Sequence, residues 1–237
     1  MEHVLTLVVR VEKNARPAQT DALETAARAV LAILADERSY GEGEWAEAMT
    51  SWQDDRIRKI VKRSRGAEWR RAEALPGITV HGHGTGANAP AEPGDAGSAA
   101  NGGAVAEVRV FPPTPVDVVP AEIANLQVSG TDFVDARELP PVEAGVPVLW
   151  VNPELEMSSG KAMAQCGHAA QLAWWALSDE ARKEWEAADF ALAVRTATSA
   201  QWTQLLRSGL PVVQDAGFTE IEPGSRTVIA DHPQLRR

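Results

Sequence analysis

Met157 to Ala170 reads MSSGKAMAQCGHAA, and Asp215 to Ala230 reads DAGFTEIEPGSRTVIA. In the first stretch Ser158, Ser159 and Gly160 end a strand-to-helix loop, and either serine can cap the following helix by accepting from its free N–H groups. From Lys161 to about Leu177 good helix formers dominate, alanine above all. At ~100° per residue Lys161, Gln165 and His168 share one stripe, while Met163, Cys166 and Ala170 lie opposite and can face a sheet. A lysine in the first turn opposes the helix macrodipole by about 0.3–1 kcal/mol, so its presence suggests an anionic target. Lys161 and the free amides can together hold a phosphate or a developing oxyanion. The competing reading of the spacing alone is a solvated lysine on a surface helix.

Upstream of the second stretch, Leu210 to Gln214 is a short apolar run fit for a strand. Asp215-Ala216-Gly217 breaks it with turn chemistry, Pro223-Gly224 is a second turn signal, and Arg226 to Ala230 resumes a strand. An aspartate leaving a buried strand end is a frequent catalytic position in α/β folds. Alone, Asp215 reads more readily as the cap of its own turn.

Taken together the two stretches resemble the type 2 peptidyl-tRNA hydrolase family. The family pattern Gly-Lys-Gly-Lys-x-Ala-Ala-Gln-x-x-His-Ala-Ala is similar to Ser158 through Ala170, and Asp-Ala-Gly-x-Thr-x-Ile-x-Pro-Gly-x-x-Thr-Val is met from Asp215 to Val228. The likeness covers roughly Val146 to Ala230. It implies an α/β fold, a three-layer α/β/α arrangement on a small mixed four-stranded sheet, and hydrolysis of the ester joining a peptide to the 3′ end of tRNA. It places the catalytic residues at Lys161, Asp215 and Thr227, with Gly160, Gln165, His168 and Thr219 as substrate-binding positions. Ser159 stands where the family usually has a second lysine, and Glu154 and Glu156 occupy a strand end that is usually basic or polar. Phosphate contacts dominate nucleic-acid affinity, so both departures weaken the expected grip on tRNA.

The net charge of −10 argues against a general nucleic-acid coat. Charge is uneven, however: Arg56, Arg58, Lys59, Lys62, Arg63, Arg65, Arg70 and Arg71 face a single acidic residue, Glu68, over 16 positions. Arg56, Arg58, Lys59, Lys62, Arg63 and Arg65 are the candidate tRNA phosphate patch, with a solvated charged face as the alternative. One cysteine excludes an internal disulfide, no stretch reaches the ~18 apolar residues of a membrane span, and the N-terminus lacks a secretory layout. A cytoplasmic protein with no membrane partner is expected. Five histidines without ligand spacing predict no metal and no cofactor.

The order of elements suggests a repeat. Leu5–Val11 matches Val146–Val151 as a strand, Thr20–Leu34 matches the helix after Lys161, and Trp69 and Trp202 open comparable short helices. Pro76–Val80 compares with Leu210–Gln214, and Glu107–Phe111 with Arg226–Ala230. Residues 1–130 therefore read as a degenerate hydrolase-like subdomain, with a disordered loop at 81–104 rich in Gly, Ala, Pro, Asn and Ser. Residues 131–145 read as a linker, and 146–237 as the hydrolase-like domain. The first unit lacks the lysine–glutamine–histidine stripe, so any activity belongs to the second. Two functions follow: an esterase acting on peptidyl-tRNA, or a catalytically silent tRNA- or protein-binding module on the same fold.

Overall fold

The computed structural model describes residues 2–87, 103–216 and 220–236. Most of the loop expected at 81–104, and Thr219, lie outside them. In chain order the first half comprises β1 (His3–Arg10), α1 (Gln19–Ala35), α2 (Ala46–Gln53), β2 (Lys59–Ser64), α3 (Gly66–Glu73), β3 (Ile78–His81), β4 (Glu107–Val110), β5 (Thr114–Pro115) and α4 (Ala121–Ala124). The second comprises β6 (Val148–Val151), α5 (Ser159–Ala176), α6 (Asp179–Ala187), β7 (Ala193–Thr196), α7 (Ser199–Leu205), β8 (Val212–Gln214) and β9 (Arg226–Asp231).

Two small mixed sheets result, ordered β2-β1-β4-β3 and β7-β6-β9-β8, with β5 added beside β1. In each, the first strand is central, pairs parallel with the second and antiparallel with the fourth. The period-2 alternation of the strands sorts side chains to two faces. Leu5, Leu7 and Val9 of β1 enter the large core, while Val8 enters a smaller cluster with Trp69, Phe111 and Ile123. Likewise Val228 and Ala230 of β9 face the large core, and Ile229 packs with Trp202 and Leu210. Each sheet is thus covered by helix on both faces, as the three-layer reading requires.

The large core spans both halves, because α1 and α5 pack against each other between the sheets. Small residues are buried on both helices: Ala22, Ala26 and Ala29 on α1, Ala162, Ala169 and Ala173 on α5. Gly167 makes the approach possible, since a Cβ there would lie 2.9 Å from Val30 Cγ2. Met163, Cys166 and Ala170 sit in this core, on the stripe assigned to the sheet.

The segment 131–145 has no helix or strand, yet it is pinned to both helix starts. Asp135 caps α1, accepting from Thr20 N at 2.8 Å and Thr20 Oγ1 at 2.7 Å. Phe133 N donates to Ser159 Oγ at 2.8 Å, and Gly160 N donates to the Thr131 carbonyl at 3.2 Å. The described edges of the 81–104 stretch are also tied down. His83 N, Gly84 N and Ala106 N donate to the buried Asp21 carboxylate at 2.8, 2.9 and 2.7 Å.

Candidate active site

Helix α5 starts where the serines place it. Ser158 is the N-cap, its Oγ accepting from Lys161 N at 3.2 Å. Glu220 reaches back from the β8–β9 loop and accepts from Ser158 N at 3.0 Å and Ser158 Oγ at 2.8 Å. Its backbone has φ +62°, a left-handed conformation uncommon for a glutamate, held here by those two bonds.

The α5 stripe and the end of β8 meet. Lys161 Nζ lies 2.6 Å from Asp215 Oδ2, and the two side chains are only 9% and 7% exposed. Gln165 Nε2 donates to the same Oδ2 at 2.8 Å. Gln165 Oε1 accepts from Thr227 Oγ1 at 2.6 Å. A lysine can only donate and a carboxylate can only accept, so this chain fixes the Gln165 amide orientation. Asp215 therefore does more than cap its turn: its backbone holds the loop, accepting from Gly224 N and donating to Ser225 O, while its carboxylate engages α5.

Thr227 is fully buried on β9 and stands behind Gln165. Its hydroxyl donates to the amide oxygen of Gln165 from behind. The helix N-terminal amides differ from expectation. The Gly160 and Lys161 N–H groups are taken by Thr131 O and Ser158 Oγ, so they are not open to an anion. Ser159 is buried and accepts from Phe133, so a lysine there would displace the connecting segment. Glu154 and Glu156 are exposed.

A cavity of about 510 Å³ opens on Lys161, Gln165, Asp215 and His168, and its other wall is β2 with the residues before it, including Arg56, Arg58 and Lys59. Lys59 Nζ lies 2.5 Å from Gln171 Oε1 and 3.1 Å from His168 Nδ1. Burial pushes the Lys59 ammonium well below the usual lysine range. Burial, then the charges of Lys59 and Lys161, hold the His168 imidazole well below its usual range. Cys166 is buried in the core, which pushes its thiol up and keeps it from acting as a nucleophile.

The basic run does not form one face. Lys62, on the opposite side of β2 from Lys59, is buried and donates to the Ile123 and Ala124 carbonyls at 3.0 and 2.7 Å. Arg63 is engaged with Ser129 O and Gln127 Oε1. Arg58 pairs with Glu2 at 3.4 Å, and Arg65 is exposed beyond the strand end. Position along the chain, invisible in a charge count, divides the cluster: Arg56, Arg58 and Lys59, at the start of β2, line the cavity, while Lys62 and Arg63, farther along it, hold the 120s segment. Sequence reasoning also missed Gln171 and Glu220; a polar residue on the α5 stripe at 171 was the available signal for the first.

A lysine–carboxylate pair steadied by an amide thus lies in a cleft at the strand ends of the second α/β unit. Residues 146–236 match the family model for peptidyl-tRNA hydrolase PTH2. Mitochondrial peptidyl-tRNA hydrolase 2 of Mus musculus is 41% identical over 96 residues, 36% of this chain and 53% of its own length. The Bos taurus and Homo sapiens proteins of that name are 37% and 33% identical, each across 36% of this chain and 54% of their own. The chain thus spans about half the length of the curated relatives it matches. The family-model match and the likeness to these relatives both lie in the C-terminal part of the chain. Among the described residues no helix is long and apolar enough to cross a membrane.

Proposed function

We propose that this chain hydrolyses the ester between a peptide and the 3′ end of tRNA, with the reaction in the second half. The observation that carries this reading is the Lys161–Asp215–Gln165–Thr227 chain, one side of which faces a cleft large enough for a terminal nucleotide. Water attacks the ester carbonyl carbon as Asp215 takes its proton. Negative charge on the carbonyl oxygen is met by the Lys161 ammonium, and collapse expels the ribose oxygen, which recovers the proton from Asp215. Gln165 positions the carboxylate and Thr227 positions Gln165. Thr219, a further candidate for the substrate side, belongs to this reading on its motif alone.

The N-terminal half is proposed to be a second, degenerate copy of the domain, 1–130, joined through 131–145 to 146–237, so that the chain forms an internal pseudo-dimer. The same strand order in both sheets supports this. A reducing, cytoplasmic setting suits the single buried thiol, Cys166, and cell fractionation tests it. The function is tested by release of N-acetyl-aminoacyl groups from charged tRNA by the full-length protein and by Asp215→Asn. Turnover by the first and its loss in the second are expected. Tight tRNA binding without turnover by the wild type overturns the enzyme in favour of a silent binding module.

A further inference from the structure

The proposed mechanism uses one end of the cleft. The other end is built by both halves. Lys59 opens β2, the edge strand of the N-terminal sheet, and its side chain crosses to α5 of the C-terminal half. Its Nζ is surrounded by Gln171 Oε1 at 2.5 Å, His168 Nδ1 at 3.1 Å and the Ile57 carbonyl at 3.4 Å, with the Trp52 ring centroid at 4.7 Å. Lys59 is only 8% exposed, and among the described residues it has no carboxylate within ion-pair distance. A buried cation without a counter-ion is costly, and most folds avoid it. Here it is placed against a cavity wall, behind a half-buried histidine that faces the same cavity.

The three acceptors around Lys59 take up its three N–H groups, so the ammonium itself has no donor left for a ligand. The charge is relayed. His168 Nδ1 accepts from Lys59, which puts the ring proton on Nε2, the nitrogen free to donate into the cleft. His168 follows Lys161 by seven residues on α5, about 10 Å along the axis at ~1.5 Å per residue. That separation is close to the reach of one nucleotide from a 3′-ester to its own 5′-phosphate. The exposed Arg56 at the same cavity adds positive charge at this end, and Asp215 stands at the other.

We propose that Lys59 of the N-terminal half and His168 of the C-terminal half form a phosphate seat for the 5′-phosphate of the nucleotide that carries the scissile ester. His168 Nε2–H donates to the phosphate, and Lys59 supplies the charge behind it. The N-terminal half then contributes to substrate recognition although it holds no catalytic residue. This proposal rests on the ester-hydrolase reading for the identity of its substrate.

The test separates the two. The His168 ring signals of the full-length protein are followed by nitrogen-15 NMR during titration with AMP, adenosine and inorganic phosphate. AMP is expected to bind at least about tenfold more tightly than adenosine, as a charge-assisted bond gives, and to shift the His168 ring nitrogens. Lys59→Met should reduce the AMP-to-adenosine affinity ratio toward one, and His168→Ala should do the same by a separate route. A wild-type ratio near one overturns the seat, as does a ratio that survives both substitutions. In parallel, kcat/KM is compared for N-acetyl-aminoacyl esters of adenosine and of AMP. The wild type should prefer the AMP ester by about tenfold, and Lys59→Met should lose that preference. Hydrolysis of neither ester by the wild type defeats the ester-hydrolase reading, and the AMP titration still decides the seat.

Discussion

Asp215→Asn separates catalysis from simple ion pairing. Asp215 and Lys161 are both buried, so removing the carboxylate charge takes this counter-ion from an ammonium that is only 9% exposed. Breaking a buried pair in this way costs about 3–5 kcal/mol, a large share of the ~5–15 kcal/mol that stabilises an ordinary domain. For a chain of this size that lowers Tm by about 6–20 °C. Lys161→Met takes the ammonium from the carboxylate and should cost a similar amount. The double variant removes both charges, and replacing a buried pair by neutral groups is often neutral or stabilising, so its Tm should return toward wild type. The rate should not return. Loss of a general base costs about 100- to 10,000-fold, and loss of the charge on the carbonyl oxygen a comparable factor. The assay is kcat/KM on N-acetyl-aminoacyl-tRNA at a temperature where all four proteins are folded by circular dichroism. A single variant within threefold of wild type, or a double variant whose rate recovers with its Tm, refutes the assignment and leaves a structural ion pair.

Thr227→Val removes the hydroxyl that orients Gln165 and leaves a buried amide oxygen unpaired. Stability should fall by about 1–3 kcal/mol and kcat/KM by about tenfold or more, with Thr227→Ser restoring most of the rate; a valine variant with wild-type rate contradicts the positioning role. Lys59 has its folded pKa pushed below 10.5, so the unfolded chain holds more protons between that lowered value and 10.5, and stability rises with pH across the window. The urea midpoint of wild type relative to Lys59→Met should therefore increase from pH 7 to pH 9.5. His168 has its folded pKa depressed below 6.5, so wild type should lose stability relative to His168→Gln as pH falls through 6.5; parallel curves deny the burial. Arg56→Ser should flatten the salt dependence of tRNA binding by about one unit of slope, whereas Lys62→Ser should lower Tm and leave the slope alone. The reverse pattern would restore the continuous basic patch.

What the chain disclosed in advance follows from locality. Helix α5 announces itself through its serine cap, its alanines and a stripe that repeats every three or four residues. The strand–loop–strand at 210–230 follows from Pro, Gly and Asp at turn positions. The two mixed sheets follow from the resemblance and the order of elements. What stayed hidden depends on side chains separated by many residues. Strand alternation assigns Lys59 to the cleft and Lys62 to the 120s segment, and only the register of β2 against β1 decides which goes where. The role of 131–145 was unreadable because a Pro-rich, acidic run looks the same whether it hangs in water or, as here, caps α1 with Asp135. The burial of Thr227 was likewise not legible, because a motif gives residue type and not depth. The wall at Lys59 arises only when α1 and α5 bring the halves together.

Comparing the two helices by position sharpens the last point. Asp21, Thr25 and Arg28 are the third, seventh and tenth residues of α1, as Lys161, Gln165 and His168 are of α5. In the second half the helix offers a cation and the loop after β8 offers a carboxylate. In the first half the helix offers the carboxylate, and the loop after β3 offers backbone amides, which close on Asp21 from His83, Gly84 and Ala106. Gly82 permits that closure, since a Cβ there would lie 2.3 Å from Asp21 Oδ2. The polarity of the contact is reversed, and the Asp21 carboxylate is occupied by these amides. On the reading that the halves are two copies, the first has exchanged its reaction site for a sealed loop anchor. Its edge strand β2 is then held rigidly against α5, where Lys59 can act on the site of the other half.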